Sequence, residues 1–177
     1  MKIFIDAGHG GTNPGAVSAT GLREADVNLE VALDLGKILT SWGYDVNYSR
    51  TDNITVSLAE RAKLANEWGA DYFVSIHCNS NENPIYGGTE TFYYRKGIRA
   101  EVLAKTVNNA LVRQIGLKDL GTATANFAVL RLTRMPAILV ELAFLSNPTE
   151  AQLLGTVSFR KNCAIGIANG ISEYTNQ

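Results

Sequence analysis

The stretch KIFIDAGHGG at residues 2–11 decides the fold class. A short apolar run, Ile3-Phe4-Ile5, stops on Asp6 and passes into a glycine-rich loop around His9. A run that is apolar on both pleat faces, rather than alternating, reads as a strand covered on both sides. Such strands belong to parallel sheets flanked by helices. DYFVSIH at 71–77 and AILVELAF at 137–144 repeat the pattern. Helical spacing fills much of the remainder. Residues 24–42 set Val31, Leu35, Ile38, Leu39 and Trp42 on one face, closed by Gly43. Ser57-Leu-Ala-Glu60 is a capping box opening a helix that runs to about Trp68, with Gly69 behind it. Residues 98–115 carry Leu103, Val107, Leu111 and Ile115; Asn147-Pro-Thr-Glu150 is a second cap with proline at the first helical position; residues 158–174 bury Phe159, Cys163, Ile167 and Ile171.

Further strands are predicted at 44–49, 89–94 and 127–132, with a loop at 116–126. The Thr- and aromatic-rich segment 89–94 lies close behind the strand before it and is expected as a hairpin-like antiparallel edge. The expectation is therefore one domain over 1–177, of α/β class: a twisted, mostly parallel six-stranded sheet with helices on both faces. Ligands of such sheets gather at the carboxyl ends of the parallel strands.

The chain has 177 residues, 46% hydrophobic and 19% charged, with mean hydropathy of −0.02. This is the composition of an ordinary globular domain large enough to bury a core. A formal net charge of −1 supplies no basic face for nucleic acid or an anionic membrane. No apolar run is long enough to span a bilayer. Two cysteines, Cys78 and Cys163, make neither a disulfide scaffold nor a metal knuckle and read as small buried hydrophobes. Met1-Lys2 passes straight into the first strand without an apolar leader segment. Three expectations follow: a protein acting where it is made, one released on lysis, or a piece of a larger exported protein.

The chain holds only two histidines, His9 and His77, and both fall at carboxyl ends of strands read as parallel. Each alone reads as an ordinary loop or strand-end residue. Together, on neighbouring strands, they would offer two neutral imidazoles to one cleft, which is what zinc commonly binds. A third ligand is open among nearby carboxylates. Asp6 ends a strand and could instead orient His9; Glu24 opens a helix, where a carboxylate also favours the dipole. Glu141 lies within Ala137–Phe144, among apolar residues only. A buried carboxylate needs a cation, a donor or a raised pKa. Arg131 or Arg134 could supply the cation, but general acid/base chemistry is the reading adopted here. No GxSxG elbow supports a serine hydrolase.

These pieces, in order, resemble a known family. IDAGHGG, PGA, GLREADVNLEVALDL, SR before TD, LAERAKLAN, ADYFVSIHCNS, GGTETFYY, VLR and MPAILVELAFLSNPTEAQLL are similar to zinc-dependent N-acetylmuramoyl-L-alanine amidases of the amidase-3 type, from Lys2 to about Tyr174. The resemblance implies that His9, Glu24 and His77 hold one zinc ion and that Glu141 is the catalytic acid/base, so it selects Glu24 over Asp6. It implies hydrolysis of the amide between the lactyl group of N-acetylmuramic acid and L-alanine in peptidoglycan, with no obligate protein partner. Asn79, on His77's side of the chain, and Arg131 are candidates for holding substrate. Cys78 stands where the family more often has a small residue such as alanine, and Lys118–Gly121 replaces a basic-containing turn. Two other readings are a zinc peptidase cutting within the stem peptide and a wall-binding module that has lost its chemistry. The latter would be expected to lack a ligand or the acid/base.

Overall fold

In the computed structural model, which describes residues 1–94 and 97–176, Lys2–Ala7 form β1, and Ile3, Phe4 and Ile5 have no solvent exposure. β2 (Asp45–Tyr48) and β3 (Tyr72–Asn79) pair with β1 in parallel on either side. β6 (Ala137–Phe144) pairs in parallel with β3. β4 (Thr89–Tyr93) runs antiparallel to β6, and β5 (Asp119–Thr124) lies parallel to β4 at the outer edge. The order is β2-β1-β3-β6-β4-β5, a six-stranded, mostly parallel sheet. The parallel connections run through α1 (Glu24–Ser41), α2 (Leu58–Trp68) and α3 (Ile98–Ile115); α4 (Ala128–Leu132), α5 (Pro148–Leu154) and α6 (Val157–Thr175) complete the set. Ser57 caps α2 by accepting from the Glu60 N–H, and Asn147 caps α5 with Pro148 behind it. Among the described residues no helix is long and apolar enough to cross a membrane.

Two expectations are corrected. Residues 127–132 are not a strand: Ala128–Leu132 is helix α4, and the sixth strand, β5, lies inside 116–126, read as a loop. Adjacent burial of Val129 and Leu130, with Arg131 and Leu132 exposed, is a helical pattern too short for periodicity to reveal. Asp119–Thr124 buries little side chain and is a strand through backbone pairing with β4 alone. Residues 89–94 are antiparallel as expected, but their partner is β6 and not the preceding β3, and β5 covers their other side. That strand is therefore not an edge.

The alternation along the strands divides the interior into two unequal cores. Ile3, Ile5, Val74, Ile76, Ile138, Val140 and Leu142 face α1, α3 and α6, and these form the larger core. Phe4, Phe73, Ala137 and Leu139 face the other way, towards Ala65 of α2 and Val129 and Leu130 of α4. Continued by the period of two, this second face carries Asp6, then Ser75 and His77, then Glu141, with Glu90 opposite Glu141 on β4. Its lower half is apolar and covered, while its upper half is polar and open.

The larger core depends on close approach of α3 and α6. A Cβ built on Gly170 would lie 2.5 Å from the Val107 Cα, with the Ala110 Cβ at 3.2 Å. No side chain fits there without separating the two helices. We expect Gly170→Val to destabilise the fold by about 1–3 kcal/mol through overpacking, lowering the melting temperature by roughly 2–4 °C per kcal/mol. Thermal unfolding followed by circular dichroism checks it; an unchanged midpoint would contradict the packing described.

Candidate metal centre

β1 ends at Ala7, and the chain turns through Gly8 and His9 over the carboxyl edge of the sheet. Gly8 packs against the His77 imidazole so closely that a Cβ there would overlap the ring. His9 itself takes a left-handed backbone, φ 59°, the one non-glycine residue with positive φ among those described. The two imidazoles stand edge to face, ring centroids 5.0 Å apart. His9 Nδ1 lies 3.1 Å from Asn13 Oδ1. With Nδ1–H donating to that oxygen, Nε2 is left as a lone pair aimed inward.

Glu24, the first residue of α1 and only 4% exposed, joins both rings. Its Oε1 lies 3.2 Å from His9 Nε2 and 2.9 Å from His77 Nδ1. Oε1 also accepts from the Cys78 N–H at 3.1 Å, and Oε2 from the Ala16 N–H at 2.8 Å. Burial alone would raise this carboxyl, but the bonds with His77 and His9 hold it well below the ordinary carboxylate range.

His9, Glu24 and His77 each offer a ligand atom, all within 4.8 Å of one another. Around a tetrahedral zinc with ligands at about 2.0–2.1 Å, donors stand about 3.3 Å apart. Two of the separations here are 3.2 and 2.9 Å. Two imidazoles and one carboxylate are also the chemistry of an open, three-ligand zinc site. The donor set fits a metal ion.

Glu141 is placed on β6 in register with His77 on β3. Its Oε2 is buried and has no hydrogen-bond partner among the described residues. Its carboxyl is pushed up to about 7, principally by burial; His77 pulls the other way, and the charges of Glu24 and Glu90 add to the rise. Among the described residues the ion pairs include none to Glu141, and Arg131 donates to Asn126 Oδ1 at 2.6 Å. Asp6, the other ligand candidate, is turned to the opposite task. Its Oδ1 accepts from Arg61 Nη1 at 2.7 Å and its Oδ2 from Ser75 Oγ at 2.6 Å, so it orients neither histidine. Asn79 is still within β3; its Nδ2 donates to Glu90 Oε1 at 2.7 Å. Arg131 is exposed on α4, whose Val129 lines a cavity of about 310 Å³ beside His9 and His77. Cys78 and Cys163 are buried, burial holding both thiols up, so they are inert.

Sequence reasoning missed Asn13, Asn28, Glu90, Arg50 and Arg61, which surround the site. Asn28 Nδ2 reaches the Gly8 carbonyl at 3.2 Å and Glu24 Oε1 at 3.4 Å. Asn28 was within reach of pattern reading, as a polar residue on the buried stripe of a helix.

A family model described as N-acetylmuramoyl-L-alanine amidase (Amidase_3) matches residues 3–173. A sporulation-specific N-acetylmuramoyl-L-alanine amidase of Bacillus subtilis is 41% identical over 99% of this chain and 69% of its own length. An N-acetylmuramoyl-L-alanine amidase of Bacillus licheniformis is 42% identical, with the same two coverages. Among solved structures, an N-acetylmuramoyl-L-alanine amidase from Clostridium difficile superposes with a TM-score of 0.96 at 39% identity, covering 99% of this chain and 97% of that one.

The Asp6–Arg61 pair beneath the site sets an acid limit. Burial pushes Asp6 up, but the Arg61 charge and the hydrogen bonds it accepts hold it below its usual value. A depressed carboxyl contributes stability above its unfolded pKa of about 3.9, and that contribution is lost as pH falls through the lower, folded value. We expect the melting temperature of metal-free protein to drop on acidification below about pH 4. Asp6→Asn, which strands a buried guanidinium, should cost about 3–5 kcal/mol at pH 7 and flatten part of that acid dependence.

Proposed function

This chain belongs to the Amidase_3 family of N-acetylmuramoyl-L-alanine amidases, and from that premise we propose a zinc mechanism in which His9, Glu24 and His77 hold the metal and Glu141 moves the proton. The enzyme is an N-acetylmuramoyl-L-alanine amidase, a peptidoglycan hydrolase like its relatives. The bond cut joins the lactyl carbonyl of N-acetylmuramic acid to the nitrogen of L-alanine. One observation carries the proposal: His9, Glu24 and His77 each bring a ligand atom within 4.8 Å of the others, one strand away from a Glu141 oxygen that has no hydrogen-bond partner among the described residues.

When bound, zinc supplies Lewis acidity, lowering the pKa of water and polarising a carbonyl oxygen. The chain's residues do the rest. Glu141 Oε2 takes a proton from the attacking water and returns it to the alanine nitrogen as the carbon–nitrogen bond breaks. A carboxyl raised to about 7 suits both halves of that transfer at neutral pH. Glu24 stays ionised throughout, and Asn13 fixes the His9 tautomer. We assign substrate contacts to Asn79, whose amide holds Glu90, and to Arg131, which would meet a carboxylate of the stem peptide. The whole of 1–177 serves as one catalytic domain acting on the cell wall.

The direct test is release of new N-terminal alanine from purified peptidoglycan, with and without a zinc chelator. Alanine should appear only with zinc present; a different new amine would point to a peptidase acting within the stem, and none at all to a wall-binding module. Glu141→Ala should retain one zinc per chain by metal analysis and lose turnover by about 10²–10⁴-fold. An active Glu141→Ala enzyme would sink the assignment. His77→Ala should fail at the earlier stage, its zinc content falling with its activity.

A further inference from the structure

Two buried arginines hold the peptide groups on either side of His9. Arg50, 3% exposed, donates from Nη2 to the Gly8 carbonyl at 2.9 Å and to the Ala25 carbonyl at 2.8 Å. Its Nε donates to the Ala7 carbonyl at 2.9 Å and its Nη1 to the Asp52 carbonyl at 3.1 Å. Arg61, also 3% exposed, donates from Nη2 to the His9 carbonyl at 2.6 Å and from Nη1 to the Ala7 carbonyl at 2.6 Å. The peptide plane before His9 is therefore fixed by Arg50 and the plane after it by Arg61. Between them sits the left-handed backbone of His9, which a β-carbon disfavours.

Arg50 presents the sharper puzzle. Among the described residues it forms no ion pair; its guanidinium is spent on main-chain carbonyls. A buried cation with no direct ion pair is a poor device for stability, because an apolar side chain of similar volume would avoid the desolvation. What only a planar fork does is bind several carbonyls at fixed angles. Two of the four carbonyls it binds belong to Gly8, which precedes His9, and Ala25, which follows Glu24. One Nη2 thus joins the two segments that bear two of the three metal-ligand residues.

Resting on the metal reading above, we infer that Arg50 is a positioning residue: with Arg61 it locks His9 in its left-handed conformation and sets the spacing between the His9 and Glu24 donors before metal arrives. Lysine cannot replace it, since a single ammonium on a flexible stem does not span the Ala7, Gly8 and Ala25 carbonyls in one plane. Arg61 is the weaker site for a test, because its pairing with Asp6 mixes positioning with stability.

The experiment measures zinc affinity by competition with a chelator, and the ligand-field spectrum of the cobalt-loaded protein, in the unaltered chain, Arg50→Lys and Arg50→Gln. Leu111→Ala, a cavity in the α3 side of the larger core, serves as a control that loses stability without touching the site. The unaltered chain and Leu111→Ala should bind zinc equally well. Arg50→Lys should keep its circular dichroism spectrum, bind zinc about 10–100-fold more weakly and show a shifted cobalt spectrum. Arg50→Gln, which removes the buried charge, is the second variant should the lysine protein not fold, and should show the same loss. Unaltered affinity in the Arg50 variants, or a loss matched by Leu111→Ala, would overturn the positioning role while leaving the metal reading intact. Absence of zinc binding by the unaltered chain would instead overturn the metal reading, and this inference with it.

Discussion

The interaction on which the site depends is the sharing of one buried carboxylate by two imidazoles. Glu24 is 4% exposed, so its charge has little access to water, and a desolvated carboxylate is stable only if its lone pairs are filled. The Cys78 N–H and the Ala16 N–H donate to it and the His9 and His77 rings face it, so three separate stretches of chain meet at this one group. These contacts tie the loop after β1, the glycine-rich loop before α1 and the end of β3 to α1, which carries Glu24. A group needing all of these at once leaves the carboxyl edge of the sheet few alternative arrangements.

The same edge explains where catalysis can occur. Helices α1, α3 and α6 cover one face of the sheet along its length, whereas α2 and the short α4 pack against Phe4, Phe73 and Leu139 on the other. Above that small core the period of two continues, but the side chains become Asp6, Ser75, His77, Glu141 and Glu90. Polar groups at these positions could not be covered by an apolar helix without heavy desolvation. They are tolerated because Arg61 satisfies Asp6 from below and a cleft opens above. The cleft is a product of the packing: it lies where the smaller core runs out.

Much of this was legible in the sequence because the strongest signals are long-period ones. The buried strands, the helical stripes and the two caps follow from local spacing and turn chemistry, and the sheet rule then placed His9 and His77 together. Glu141 announced itself as a charge in an apolar strand. What was not legible is pairing. Asp119–Thr124 is a strand because β4 offers it a partner, and nothing in its own side chains says so. Ala128–Leu132 carries too few residues to show a helical period. The antiparallel slot beside β6 went to β4 through contacts distant in the chain, which no local pattern encodes. Arg50 and Arg61 were equally hidden. An arginine bound to main-chain carbonyls looks, in a sequence, like any surface arginine, because its partners are peptide groups that every residue has.

The pairing of β4 with β6 has a consequence for the chemistry. It sets Glu90 directly opposite Glu141, and like charges at facing positions of an antiparallel pair are unfavourable. One oxygen of Glu90 is held by Asn79 at 2.7 Å, which fixes that carboxylate while leaving the buried oxygen of Glu141 unpartnered. Stability alone would favour removing either charge. Burial does most to raise the Glu141 carboxyl, against the pull of His77, and the charges of Glu24 and Glu90 add to the rise, into the range where a proton can be both taken and returned at neutral pH. An isolated glutamate on the surface would hold its proton too weakly to act as an acid there. One paired with an arginine would be weaker still as a base. The arrangement that is poor for folding is therefore the one that general acid/base chemistry needs, and it follows from a fold that buries Glu141 and a strand order that sets a second carboxylate opposite it.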